Sequence, residues 1–321
     1  MAFKKTSSVA AVPAERFEEH RGYKPINQWR YWQLDRRAHP CNQIIQEKSR
    51  RAGSTEAFAG DAIEYGCGLI TRKQGQEFKL PHGYTWQKRC EYTGDPRKDC
   101  GLPDWYIDYL KAHAREDGVY DQVQWEHEPA VFLYAVVPEF ATDVYIVHAN
   151  EDLAVEWLQT RVLETYWPKY IPVLMPVYGR AEARIEKEEQ EETDTDDEEE
   201  AARKALERKH TARKSVMNSR VILPSKRAIH ALATSARNQG MGGTVLWDEA
   251  AVIEKAHQIK LAEALKPVND LGGKLIIASR HNGRDVPFYD MVEDAKAKPR
   301  NWHVPFINLY TAIIQGARMG D

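Results

Sequence analysis

Apolar residues gather in short, nearly continuous runs along this chain. Residues 143–147 read Asp-Val-Tyr-Ile-Val, residues 244–249 Thr-Val-Leu-Trp-Asp-Glu, and residues 274–278 Lys-Leu-Ile-Ile-Ala. Such runs, too short for helices, suit strands covered on both faces. Gln43 to Gln46 predicts a further short strand, and residues 220–224 with 228–236 a strand-rich region. Between them lie helical patterns. An aromatic-rich one over 29–35 ends before Pro40. A second starts at Ser54 with Ala57, Phe58, Ala62 and Ile63 on roughly one face, and a third covers 151–163 with Asn150 as its N-cap. Strands alternating with helices argue for an α/β chain: a mostly parallel sheet flanked by helices, with its chemistry at the carboxyl ends of the strands.

Two stretches break the alternation. Residues 66–140 are punctuated by Gly66, Gly68, Pro81, Gly83, Gly94, Pro96, Gly101 and Pro103, and are expected to form an inserted subdomain. Gly66-Cys67-Gly68 lacks the third glycine of a dinucleotide fingerprint and follows a helix, so that reading is discarded. Residues 179–213 form a second, charged insertion, and residues 1–26 a polar N-terminal arm. The main body is assigned to 27–321.

Charge changes the picture more than composition does. The net charge is −3, but residues 182–200 hold 12 acids against 2 bases, a net −10, which leaves +7 on the remainder. A basic remainder suits a polyanionic partner. Cys41, Cys67, Cys90 and Cys100 contain no C-x-x-C pair, so neither a disulfide framework nor a zinc ribbon is expected. No apolar run has the length of a signal peptide or a membrane span, and no membrane partner is expected.

Two constellations carry candidate chemistry. In residues 41–63 a strand runs into the basic turn Lys48 to Gly53 and then a helix, the layout of a phosphate-binding loop. Helix-start N–H groups and the helix dipole favour an anion there, and Lys48, Arg50 and Arg51 add full charges. Against G-x-x-x-x-G-K-[ST], Gly53 and Thr55 align, Ser54 replaces the lysine, and Lys48 stands at the first glycine. A solvated basic turn remains the other reading. The second constellation is Asp248-Glu249, closing an apolar strand. Adjacent acids there need a cation or donors; they are either a magnesium ligand with a water-orienting base, or the acidic start of a helix.

Together these residues resemble a known family. Lys48-Ser49-Arg50-Arg51-Ala52-Gly53-Ser54-Thr55 is similar to the deviant phosphate loop of the large terminase subunits of tailed bacteriophages, the ATPase motors that package DNA. Residues 245–251 resemble the family's second ATPase motif and residues 277–283 its third, which couples hydrolysis to movement; residues 144–157 resemble the strand and helix after the loop. The resemblance implies a P-loop NTPase fold of the additional-strand, RecA-like type and an ATP- and Mg²⁺-dependent hydrolase translocating double-stranded DNA. Portal protein, small terminase subunit and a ring of like chains are the implied partners, the isolated chain being a monomer, in the cytoplasm of the infected host.

The resemblance also implies residue roles. Lys48, Ser49, Arg50, Gly53, Ser54 and Thr55 would hold phosphates, Thr55 and Asp248 the metal, and Glu249 would be the base. Arg51 would stabilise the γ-phosphate, and Arg237 would do the same or touch DNA. Ser279 and Asn282 would sense phosphate, and Gln33 would lie near the adenine. Two departures follow. With Ser54 in place of lysine, activity must rest on Lys48 or be lost, and the family's C-terminal nuclease domain is expected to be absent, so no DNA cleavage by this chain is expected. The rival functions are a helicase-like ATPase and a catalytically inactive DNA- or portal-docking module.

Overall fold

In the computed structural model the residues described are 30–48, 54–148, 151–179, 183–187, 219–233, 242–252, 273–280 and 287–315. In chain order, helix α1 (Tyr31–Ala38) leads to β1 (Gln43–Lys48), α2 (Ser54–Gly66), β2 (Leu69–Lys73) and β3 (Gln87–Tyr92). Helices α3 (Pro96–Cys100) and α4 (Asp104–Glu116) precede β4 (Ala130–Val136) and β5 (Val144–His148). Helix α5 (Glu151–Trp157) continues through a π-helical stretch, Leu158–Tyr166, into α6 (Trp167–Tyr178). Then come β6 (Arg184–Lys187), β7 (Ser219–Ile222), β8 (Ala228–Ala233), β9 (Thr244–Asp248) and β10 (Leu275–Ser279), followed by α7 (Pro287–Lys296), β11 (Trp302–His303), β12 (Phe306–Ile307) and α8 (Leu309–Ile314).

The main sheet runs β11-β1-β10-β9-β5-β8-β7-β6, with β12 also on β1. From β11 to β8 every pairing is parallel, whereas β7 and β6 join antiparallel at one edge. β10 is therefore interposed between β1, which leads to the basic turn, and β9, which ends in the acids. That arrangement is the additional strand expected of this sheet.

Alternation along the central strands builds two cores. Ile44, Ile146, Leu246 and Ile276 face one, shared with α1, α2 and α6. Ile45, Val147, Trp247 and Ile277 face the other, against Phe288, Val292 and Ala295 of α7. Both faces are covered, which is why these strands read as continuous apolar runs; full burial of each such side chain contributes roughly 1.5–3 kcal/mol.

Residues 69–136 include a separate antiparallel sheet, β2-β4-β3. A buried charge network ties it to the main body. Arg36 and Arg37 both donate to Asp61 of α2, while Arg89 of β3 holds Glu64 with Nη1 and Nη2 at 3.0 and 2.6 Å. The Tyr170 hydroxyl of α6 also donates to Glu64. Gly68 ends α2 in the left-handed region (φ +64°), and its carbonyl accepts from Val137 N at 2.8 Å.

Candidate functional site

Because β1, β10, β9 and β5 are parallel neighbours, their last residues share one edge: Lys48, Ser279, Asp248 and His148. Register sets the order, with Glu47 opposite Ser279 and Ala278 opposite Asp248. Lys48 is the last residue of β1 rather than part of the turn, since the strand runs two residues beyond Gln46. Its extended backbone delivers the side chain to the acids.

The Lys48 ammonium lies 2.8 Å from Asp248 Oδ1 and 3.0 Å from Glu249 Oε1. The Lys48 and Asp248 side chains are nearly inaccessible, while that of Glu249 is 35% exposed. Burial works against the lysine's charge, but the two carboxylates overcome it and hold the ammonium above the usual lysine range. Lys48 thus supplies the cation that the buried Asp248 and its acidic neighbour require.

Glu249 has a strained backbone. Its φ is +53°, in the left-handed region that side chains other than glycine's rarely adopt, and its N–H donates to Asp248 Oδ1 at 3.0 Å. One carboxylate oxygen is held by Lys48; the other, Oε2, is buried without a hydrogen-bond partner among the described residues. An unsatisfied carboxylate oxygen is a ready acceptor for a water proton.

Ser279 Oγ accepts from Ala251 N at 2.9 Å, fastening the end of β10 to the chain just beyond the acids. Gln33 is buried and its amide oxygen accepts from Arg30 N at 2.9 Å, closing the start of α1. Ser54 and Thr55 open α2. Ser49, Arg50, Arg51, Gly53, Arg237 and Asn282 lie outside the described residues.

Two neighbours of the site were not anticipated. Burial lowers the His148 imidazole below its usual range, with Asp248 and Glu249 opposing this and Lys48 adding to it. Its position at the end of an apolar strand, like those of Lys48 and Asp248, was the available signal. Arg161, in the π-helical stretch, pairs with Glu56 in the first turn of α2 at 2.7 Å. No sequence signal marks a π-helical register, and such stretches are frequent at functional sites.

Among the described residues no group of three or more His, Cys, Asp or Glu side chains is placed to hold a metal by itself. The donor set does fit Mg²⁺ entering with a nucleotide, which takes one or two carboxylates and completes its shell with phosphates and water.

No family model matches the chain. Over 107 residues it is 35% identical to the "Mu-like prophage FluMu protein gp28" of Haemophilus influenzae (strain ATCC 51907 / DSM 11121 / KW20 / Rd), a match covering 32% of this chain and 20% of that protein. The chain thus spans about a fifth of that relative's length. Two solved structures titled Thermus Phage P74-26 Large Terminase ATPase domain, one of them a point mutant, superpose at a TM-score of 0.39 and 14% identity over 92% of this chain and 85% of theirs. At that degree of likeness the fold is read from the strand order itself. The chain is similar to phage-derived proteins and carries a mostly parallel α/β sheet with a cation and two acids at its carboxyl edge.

Proposed function

We propose that this chain is an ATP-hydrolysing motor domain of the phage large terminase type, driving double-stranded DNA into a capsid. One observation carries the reading: Lys48, Asp248 and Glu249 meet at the carboxyl edge of a parallel sheet with β10 interposed between their strands.

In this reading the nucleotide's phosphates take over Lys48 from the acids, with Ser49, Arg50, Gly53, Ser54 and Thr55 completing the cradle. A flexible lysine at the opposite end of the loop replaces the missing one at position 54. Mg²⁺ bound with ATP would neutralise phosphate charge, held by Asp248 and the Thr55 hydroxyl. Once released by Lys48, Glu249 orients the attacking water and accepts its proton, already shaped for this by its unsatisfied Oε2. Arg51 and Arg237 stabilise the transferring phosphoryl, Gln33 lies near the adenine, and Ser279 with Asn282 registers the phosphate state. The Ser279 to Ala251 contact would pass a shift at either strand end to the other.

The proposed assembly is a ring of these chains on a portal protein, with a small terminase subunit, in the cytoplasm of the infected cell. Residues 1–26 would be an arm, and 66–140 and 179–213 insertions into the ATPase body. ATP turnover by the purified chain, with and without linear double-stranded DNA, tests this. Stimulation by duplex DNA without strand separation is expected; unwinding would instead make it a helicase-like enzyme.

A further inference from the structure

The sheet's opposite edge holds a cavity. It measures about 430 Å³, and its lining includes Arg37, His39, Asn42, Tyr65, Ile70, Arg72, Glu77 and Lys274. Asn42 and Lys274 immediately precede β1 and β10, so the cavity lies a strand's length, about 17 Å, from the Lys48 site.

Charged side chains gather behind this cavity. Arg36, Arg37 and Arg89 face the carboxylates Asp61 and Glu64, which already bind them. Lys274 adds a further cation. Its ammonium has only the His39 carbonyl, at 3.4 Å, and the Tyr65 ring, at 5.5 Å, with no carboxylate within 4 Å among the described residues. Asp248, the further acid that acts on Arg36, is taken by Lys48. Burial pulls the Lys274 ammonium down to about 8, Asp61 opposing and Arg36 assisting. A lysine ammonium that lines a cavity with no carboxylate within 4 Å among the described residues suits a negatively charged ligand. The walls are largely apolar, with Ala38, Pro40, Leu69, Ile70 and the half-exposed Phe78 at the opening.

We propose that this cavity is a second ligand site, distinct from the nucleotide site, which takes a small organic anion: a carboxylate or phosphate ester whose charged head pairs with Lys274 and whose apolar body lies against Ile70 and Phe78. The inference does not rest on ATP hydrolysis by the other edge.

The test is an NMR titration of the chain labelled with ¹³C at lysine Cε, using benzoate and phenyl phosphate as probes and acetate and benzamide as controls. The Lys274 signal is expected to shift saturably with one or both aromatic anions. Acetate, lacking the body, and benzamide, lacking the charge, bind at least about tenfold more weakly. Lys274→Met weakens the aromatic anion about tenfold or more, and Lys274→Arg restores most of it. The label on the wild-type chain decides the matter even where Lys274→Met fails to fold. Benzoate and phenyl phosphate that leave the Lys274 signal unmoved, or bind Lys274→Met undiminished, would overturn the proposal.

Discussion

Lys48 and Asp248 stand 200 residues apart in the chain and meet at 2.8 Å, both buried, at the ends of two strands that are not paired with each other. The contact therefore requires the whole order β1-β10-β9. Lys48→Met leaves a carboxylate buried without its cation and is expected to destabilise the nucleotide-free chain by about 3–5 kcal/mol. A double-mutant cycle with Asp248→Asn, read by urea denaturation, is expected to give a coupling of about 1–3 kcal/mol. Additive effects would mean that the contact is not energetically real.

The backbone at Glu249 makes a separate prediction. At φ +53° any side chain is strained and glycine is not. Glu249→Gly should be more stable than Glu249→Ala by about 1 kcal/mol, while neither turns over ATP. Equal melting temperatures for the two variants would argue against strain at this position.

His303 of β11 stacks on His39, ring centroids 3.8 Å apart. Burial, with His39 beside it, lowers the His303 imidazole to about 4 from an ordinary value of 6.5. Folded chains then stay neutral at His303 where unfolded chains take up a proton. Stability from this site is complete above about 6.5 and is lost as pH falls toward about 4. Urea midpoints measured from pH 7 to 4.5 should decline, and His303→Gln should flatten the decline. An unchanged slope would assign the acid sensitivity elsewhere.

Gly68 serves as a helix stop, and a Cβ there would lie 2.1 Å from the Val137 carbonyl oxygen, a backbone atom with little room to move. Gly68→Ala combines that collision with a left-handed φ, so a loss of about 2 kcal/mol or more is expected from thermal unfolding. Wild-type stability in that variant would show that the α2–β2 turn tolerates a different path.

Strands covered on both faces were legible in the sequence, because β5, β9 and β10 are unbroken apolar runs with little else they can form. So was the acidic end of β9. What failed to show were features made by distant partners. The extension of β1 through Lys48 depends on acids 200 residues away. The antiparallel edge strands β6 and β7 carry no pattern that separates them from parallel ones. Arg36, Arg37 and Arg89 drew no reading from the sequence, because their partners Asp61 and Glu64 lie on a different element, and only packing reveals that all five are buried.

On the proposed function, Lys48 exchanges the acids for a nucleotide's phosphates and leaves Glu249 free to act on water. ATP binding and turnover, with Mg²⁺ and duplex DNA, for wild type, Lys48→Ala and Glu249→Gln test this exchange. Glu249→Gln is expected to bind ATP as wild type does but to lose at least about a hundredfold in turnover, whereas Lys48→Ala loses binding as well. Wild-type turnover in either variant, or no nucleotide binding by the unaltered chain, would rule out this exchange.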